Sequence, residues 1–207
     1  TRNSKLTEEF TDYLYARLQR QGYLRRDCQR LVMNERNLFA ALMVAEWLGC
    51  VVCALIISPY TWAGSAWGIH IHVLVAVVLG GAIVVVPTLL ALLTPGMVLT
   101  RHAVAVGQIL IGALLIHLTG GRIETHFYIF GSLAFLAFYR DWKVLVTATV
   151  VTAADHFLRG LFFPQSVYGV LGGAEWRFVE HAGWVAFENV FLGLSCFQAQ
   201  NEMREIA

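Results

Sequence analysis

Long apolar runs separated by short polar turns constrain this chain more than any other feature. A helix crossing a bilayer needs about 20 mainly apolar residues. Six stretches approach or meet that length: Leu38–Ser58, Gly68–Leu93, Met97–Leu118, Thr125–Tyr139, Val144–Phe163 and Phe178–Phe197. Pro59, Thr94-Pro95-Gly96, Gly120-Gly121 and Pro164 punctuate them. Of the 207 residues, 57% are hydrophobic and 14% charged, whereas soluble domains carry about 25% charge. Much of the surface is therefore expected to face lipid. The fourth stretch is short, and reaches the membrane boundary only if Arg140, Asp141, Trp142 and Lys143 lie at the interface, where long basic side chains and Trp settle. A re-entrant hairpin of the fourth and fifth stretches is the alternative.

The expected fold is all-α: an integral membrane six-helix bundle over 38–197. A cytoplasmic amphipathic helix precedes it over 1–37, with Leu6, Phe10, Tyr13, Leu14, Leu18 and Leu24 at helical spacing. A polar, helix-favouring segment over 198–207 follows, in the manner of a signalling helix. Basic residues set the orientation. Arg25, Arg26, Arg30, Arg36, Arg101, Arg140, Lys143 and Arg204 fall on one side, against Arg122, Arg159 and Arg177 on the other. Both termini are then cytoplasmic, and the 59–67 loop with Trp62 and Trp67 is outside. No signal peptide is expected, because the first 37 residues are polar and charged. A net charge of +1 gives no electrostatic footprint for nucleic acid. Cys28, Cys50, Cys53 and Cys196 are too scattered for a disulfide framework.

This topology gathers the histidines. His70, His72, His117, His126, His156 and His181 come from five stretches and fall near the outer leaflet, whereas His102 lies at the inner end. Imidazole is the commonest metal ligand and suits copper, zinc and iron. Ligands in a helical bundle project inward from facing helices. Glu124, Asp155 and Glu180 stand beside three of the histidines. They could orient a ligating imidazole or ligate directly. Copper is the first expectation, then zinc or iron; haem b held by two histidines is the alternative. Histidines at an interface are also often merely solvated or bonded to backbone carbonyls.

Other polar groups inside the stretches are costly and therefore notable. Glu46, Cys50 and Cys53 share one face of the first, where the cysteines could be soft ligands or simple packing residues. Glu188 needs a partner, with Gln108 or a histidine as candidates, and Arg159 is expected to pair with Glu180 or Asp155. No nucleophile elbow or phosphate loop is present, so the fragment is not expected to be an enzyme.

Several motifs carry a resemblance. They are Ser58-Pro59-Tyr60-Thr61-Trp62-Ala63-Gly64, His70-x-His72, Thr100-Arg101-His102 and the long run from Ala113 through His117, Arg122-Ile-Glu124-Thr-His126-Phe and Gly131 to Trp142. Asp155-His156-Phe-Leu-Arg159 and Glu180-His181-Ala-Gly-Trp184 extend it. Together they resemble the multi-span N-terminal input domain of bacterial sensor histidine kinases and chemoreceptor-like signalling proteins, over nearly the whole chain from Arg25. The resemblance implies a sensory domain of the bacterial inner membrane in a two-component or chemotaxis system, working as a homodimer with a cytoplasmic effector fused C-terminally. Tyr128 stands where that pattern leads us to expect a further histidine. Competing classes are a proton- or metal-linked transporter using Glu46, Glu188 and the histidines, a membrane metalloenzyme, and a metal-free small-molecule receptor lined by Trp67, Phe127, Phe130 and Trp184.

Overall fold

The computed structural model describes residues 2–170 and 175–206, with side chains from 29 onward except 31, 175 and 206. Its elements in chain order are α1 (Arg2–Ile57), β1 (Tyr60–Ala63), β2 (Ala66–Ile69), α2 (Ile71–Leu93), α3 (Val98–Leu118), α4 (Ile123–Leu136), a 3₁₀ turn (Ala137–Tyr139), α5 (Trp142–Phe162), α6 (Pro164–Tyr168) and α7 (Glu175–Ile206). The protein is mostly helical. Among the described residues, four helical segments are long and apolar enough to cross a membrane by length and composition: Val32–Ile57, Ile71–Leu93, Val98–Leu118 and Trp142–Phe162. They correspond to the first, second, third and fifth apolar stretches. The fourth stretch forms a helix of 14 residues, too short to stand with them. The sixth lies in the 32-residue α7, whose apolar run is interrupted by Glu188 and Asn189.

One departure from a purely helical reading follows from local chemistry. The 59–67 loop is largely a β-hairpin that pairs Trp62 with Trp67 and Tyr60 with Ile69. Gly64 at φ +64°, followed by Ser65, supplies the positive φ that a two-residue hairpin turn demands. Gly68 therefore belongs to β2, and the second helix starts at Ile71 with His70 as its N-cap, the Nδ1 accepting from the His72 backbone N–H. At the N-terminal side, the backbone runs as one helix from Arg2 to Ile57 without a break before the first span. The apolar stripe expected from Leu6 to Leu24 lies outside the described side chains.

α3 is the central helix and packs on α1, α2, α4, α5 and α6. Gln108, Ile109 and Ile111 are fully enclosed on it. One core cluster joins Phe39, Val104, Ile109, Leu133, Leu136 and Val144, and a second joins Met43, Cys50, Ala76, Ile111 and Leu114. Between lipid-facing helices, association depends on close packing, so small residues mark the contacts. A Cβ on Gly107 would stand 2.8 Å from both Met43 Cε and Pro87 Cγ. The methionine tip can move but the proline ring cannot. Gly107→Val is expected to destabilise by about 1–3 kcal/mol through overpacking, read as a lower melting temperature with helicity retained in the folded state. The outer surfaces of α1, α2, α5 and α7 expose large apolar side chains such as Leu55, Ile56, Val86, Val150, Leu161 and Phe191, a surface compatible with a membrane protein.

The end of α7 is tied back to the α4–α5 connection. Gln200 Nε2 donates to the Arg140 carbonyl at 2.8 Å, and the Cys196 thiol faces the Ala137 carbonyl at 3.7 Å. Arg140 adopts the left-handed conformation at φ 52°, which turns the chain into α5, where Asp141 caps the first turn.

Candidate functional site

The structure divides the six histidines into two groups of three. In the first, His126 from α4, His156 from α5 and His181 from α7 place their ring centres 5.5 Å (126–156), 4.9 Å (126–181) and 5.8 Å (156–181) apart. His126 and His156 are each only 4% exposed. Each ring is oriented in the same way, with Nδ1 facing the carbonyl four residues earlier. The distances are 2.9 Å from His126 to Arg122, 3.1 Å from His156 to Thr152 and 2.7 Å from His181 to Arg177. A carbonyl can only accept, so Nδ1 carries the proton and Nε2 carries the lone pair. The buried His126 Nε2 meets no hydrogen-bond partner among the described residues.

Three imidazoles bound through Nε2 to one ion at about 2.0–2.1 Å would hold their ring centres roughly 4.5–5.5 Å apart. The observed rings stand close to that spacing. The donors have not converged, however: among the described residues, no three His, Cys, Asp or Glu side chains stand at ligating separation. The donor chemistry fits a metal; a finished coordination shell is not formed. Tyr168 of α6 closes the group from the side, with its ring 5.6 Å from His181 and its hydroxyl 3.4 Å from the His156 carbonyl. Burial raises the Tyr168 phenol above its ordinary range, which keeps it a neutral donor.

The second group contains His70, His72 and His117. His72 is 4.4 Å from His70 and 5.2 Å from His117 by ring centres. His72 Nδ1 is buried and unpartnered among the described residues. His117 Nδ1 meets the Ser166 hydroxyl at 2.8 Å, and Arg159 Nη1 donates to that same oxygen at 3.0 Å. The Ser166 hydroxyl has two lone pairs, so it can accept from Arg159 and still either donate to or accept from His117. Arg159 also grips Asp155 with two bonds of 2.7 and 2.6 Å, and Asp155 lies 3.3 Å from His156 Nδ1. The two histidine groups are thus joined by an Asp155–Arg159–Ser166 chain.

Of the carboxylates singled out beside the histidines, Asp155 is engaged by Arg159 and supports His156 from behind. Glu124 is exposed, and Glu180 is exposed at the wall of a cavity. Among the described residues, neither bonds to an imidazole. His102 stands apart at the other end of the bundle, bonded to Thr147 at 2.7 Å. Gln108 pairs with Glu46 at 2.5 Å rather than with Glu188, because α3 packs directly on α1. Cys50 and Cys53 are free thiols, Cys50 facing the Ile111 carbonyl at 3.9 Å.

Ser166 and Tyr168 were not legible as site residues. They sit in a five-residue helix after Pro164 that nothing in the sequence marked for function. Arg159→Ala would leave Asp155 without its guanidinium and Ser166 without a donor. The expected loss is about 1–3 kcal/mol, measured as a drop in melting temperature. Arg159→Lys restores only part of it, because an ammonium cannot supply the two-pronged grip.

No family model matches the chain, and no solved structure matches it. Two curated proteins share a short segment with it. The probable NADP-dependent malic enzyme of Rickettsia prowazekii is 66% identical over 38 residues, which is 18% of this chain and 5% of that protein. The NADP-dependent malic enzyme of Rhizobium meliloti is 61% identical over 44 residues, 21% of this chain and 6% of that protein. The chain thus matches only a small fraction of either relative's length, and these segments say nothing about the histidine groups.

Proposed function

We propose that this chain is a membrane sensory input domain that binds a transition metal ion, copper before zinc or iron, through His126, His156 and His181. The observation that supports this most is the shared Nδ1–H to i−4 carbonyl bond. It fixes three imidazoles from three helices in one tautomer, with three Nε2 lone pairs left for a Lewis acid. Such carbonyl contacts behind an imidazole set ring orientation and raise ligand basicity. The metal would supply binding free energy that depends on how α4, α5 and α7 are packed. A ligand shifts an equilibrium between two packings only by its differential affinity for them. Three donors that are near one another without having converged supply such a difference.

In this reading the chain makes six passes of the bacterial inner membrane with both ends in the cytoplasm, α4 and α7 completing the bundle despite their weaker apolarity. The signal leaves through α7 toward an effector, and the domain works as a homodimer. Bis-histidine haem is less well supported, since three rings gathered about one point do not form a facing pair. The test is elemental analysis and absorption spectroscopy of tag-free protein purified from membranes. About one copper or zinc ion per chain without a Soret band is expected; a metal-free chain after incubation with either ion overturns the reading.

A further inference from the structure

A cavity of about 920 Å³ lies between α4 and α7. Ligand pockets for drug-sized molecules run about 300–1,000 Å³. Five aromatic side chains line it: Phe127, Phe130, Trp184, Phe187 and Phe191. Several are set edge to face, Phe187 with Phe191 at 5.1 Å and Trp184 with Phe187 at 6.1 Å. Within this apolar wall stands Glu188, whose Oε2 is buried with no partner among the described residues. A buried acceptor left unmet costs free energy that a ligand can recover.

The remaining polar lining has the same sign. His126 and His181 both contribute to the wall, and both have committed their Nδ1 protons to backbone carbonyls, so neither has an N–H left to donate to the cavity. Glu180, also on the wall, is a carboxylate. Apart from the Trp184 indole N–H, the titratable and polar groups lining the cavity accept. An anion finds only the single Trp184 indole N–H, beside two carboxyl groups. A neutral acyl chain leaves Glu188 unmet, and so does an apolar helix from another copy. A cation with N–H donors satisfies Glu188 and gains the faces of the aromatic rings.

We propose that this α4–α7 crevice binds a hydrophobic organic ammonium: a protonated amine carried on an aromatic or bulky apolar body, entering from the lipid side. The ammonium N–H groups donate to Glu188, and the apolar body lies among Phe187, Phe191 and Trp184. The site shares His126 and His181 as wall residues with the proposed metal group, but its anchor is Glu188, which the metal reading does not use. Glu188 is seven residues, roughly 10 Å, along α7 from His181, and His156 is not among the residues lining this cavity.

The test uses the full chain in phosphatidylcholine nanodiscs, with empty discs as the partition control. Dibenzylamine is titrated against dibenzyl ether, which has nearly the same shape but no donor and no charge, and against the diphenylacetate anion. The amine is expected to bind saturably and about tenfold or more tighter than the ether, with no binding of the anion. Glu188→Gln is expected to remove that tenfold preference while helicity by circular dichroism is unchanged, and Glu188→Asp to keep part of it. His156→Ala is expected to leave amine binding intact, so loss of metal and loss of amine are read separately. Equal binding of the ether, an unchanged preference in Glu188→Gln, or uptake no greater than that of empty discs overturns the proposal. A phospholipid or second copy seated in the crevice that dibenzylamine cannot displace overturns it as well.

Discussion

Alanine at His126, His156 or His181 is expected to lower bound copper or zinc from about one ion per chain to less than about a tenth, whereas alanine at His70, His72 or His117 leaves it near one. The asymmetry follows from how the six rings are held. In the first group every Nδ1 is a donor to its own helix, so every Nε2 is free. In the second, His70 Nδ1 is spent as an acceptor on the His72 N–H and His117 Nδ1 is engaged by Ser166, so the three rings share no common orientation. A three-donor site that loses one donor keeps two, and its affinity falls by about a hundredfold or more, since even a lost supporting bond behind a ligand costs 10–100-fold. Titration of purified variants with copper and zinc, followed by elemental analysis after gel filtration, makes the measurement. Metal binding should also weaken as the solution is acidified, because protons compete for the same lone pairs. Equal losses from both groups would mean a single shared site; no loss from the first group would remove the metal from His126, His156 and His181.

Gly121→Ala is expected to be the most damaging single methyl group added to this chain. Gly121 has φ +75°, a region that side chains resist. Its added Cβ would stand 2.8 Å from both the carbonyl carbon and oxygen of Val167 and would run into the backbone nitrogen of Gly169. Those neighbours are backbone and cannot rotate aside. The turn after α3 lies directly on α6, so the substitution must push α6 away. α6 carries Ser166, which meets His117, and Tyr168, which packs on His156 and His181. Both histidine groups would lose a wall together. A loss above about 3 kcal/mol is expected, seen as failure to accumulate in membranes or as a sharply lowered melting temperature. Gly120→Ala, whose added Cβ meets nothing within 4 Å, isolates the positive-φ cost (φ +71°) from the clash. It is expected to cost about 1–2 kcal/mol.

Four candidate spans were legible because each is a helix-length run that is apolar on every side, as in Ile71–Leu93. α4 was legible as a helix, but its 14 residues leave its role to its neighbours. The hairpin escaped notice: Tyr60, Trp62, Trp67 and Ile69 read as an interfacial aromatic loop, and cross-strand pairing is invisible until the Gly64 turn closes. Sorting the histidines by membrane side anticipated that His102 would stand apart. It could not divide the other six, because whether His117 meets His72 or His126 depends on the angles at which α2, α4 and α5 cross α3. Gln108 teaches the same lesson, for helix packing rather than sequence gave it Glu46 as partner.

α7 is one unbroken helix held along its length, with Asn189 donating to Thr149 of α5 at 2.9 Å between its two ends. His181 belongs to the imidazole group near one end, and Cys196 and Gln200 lean on the Ala137 and Arg140 carbonyls further along. From His181 to Ile206 the rod runs roughly 38 Å at 1.5 Å per residue, with no break to absorb a twist on the way. Drawing the three imidazoles together would therefore load one end of a stiff element whose other end is a polar tail.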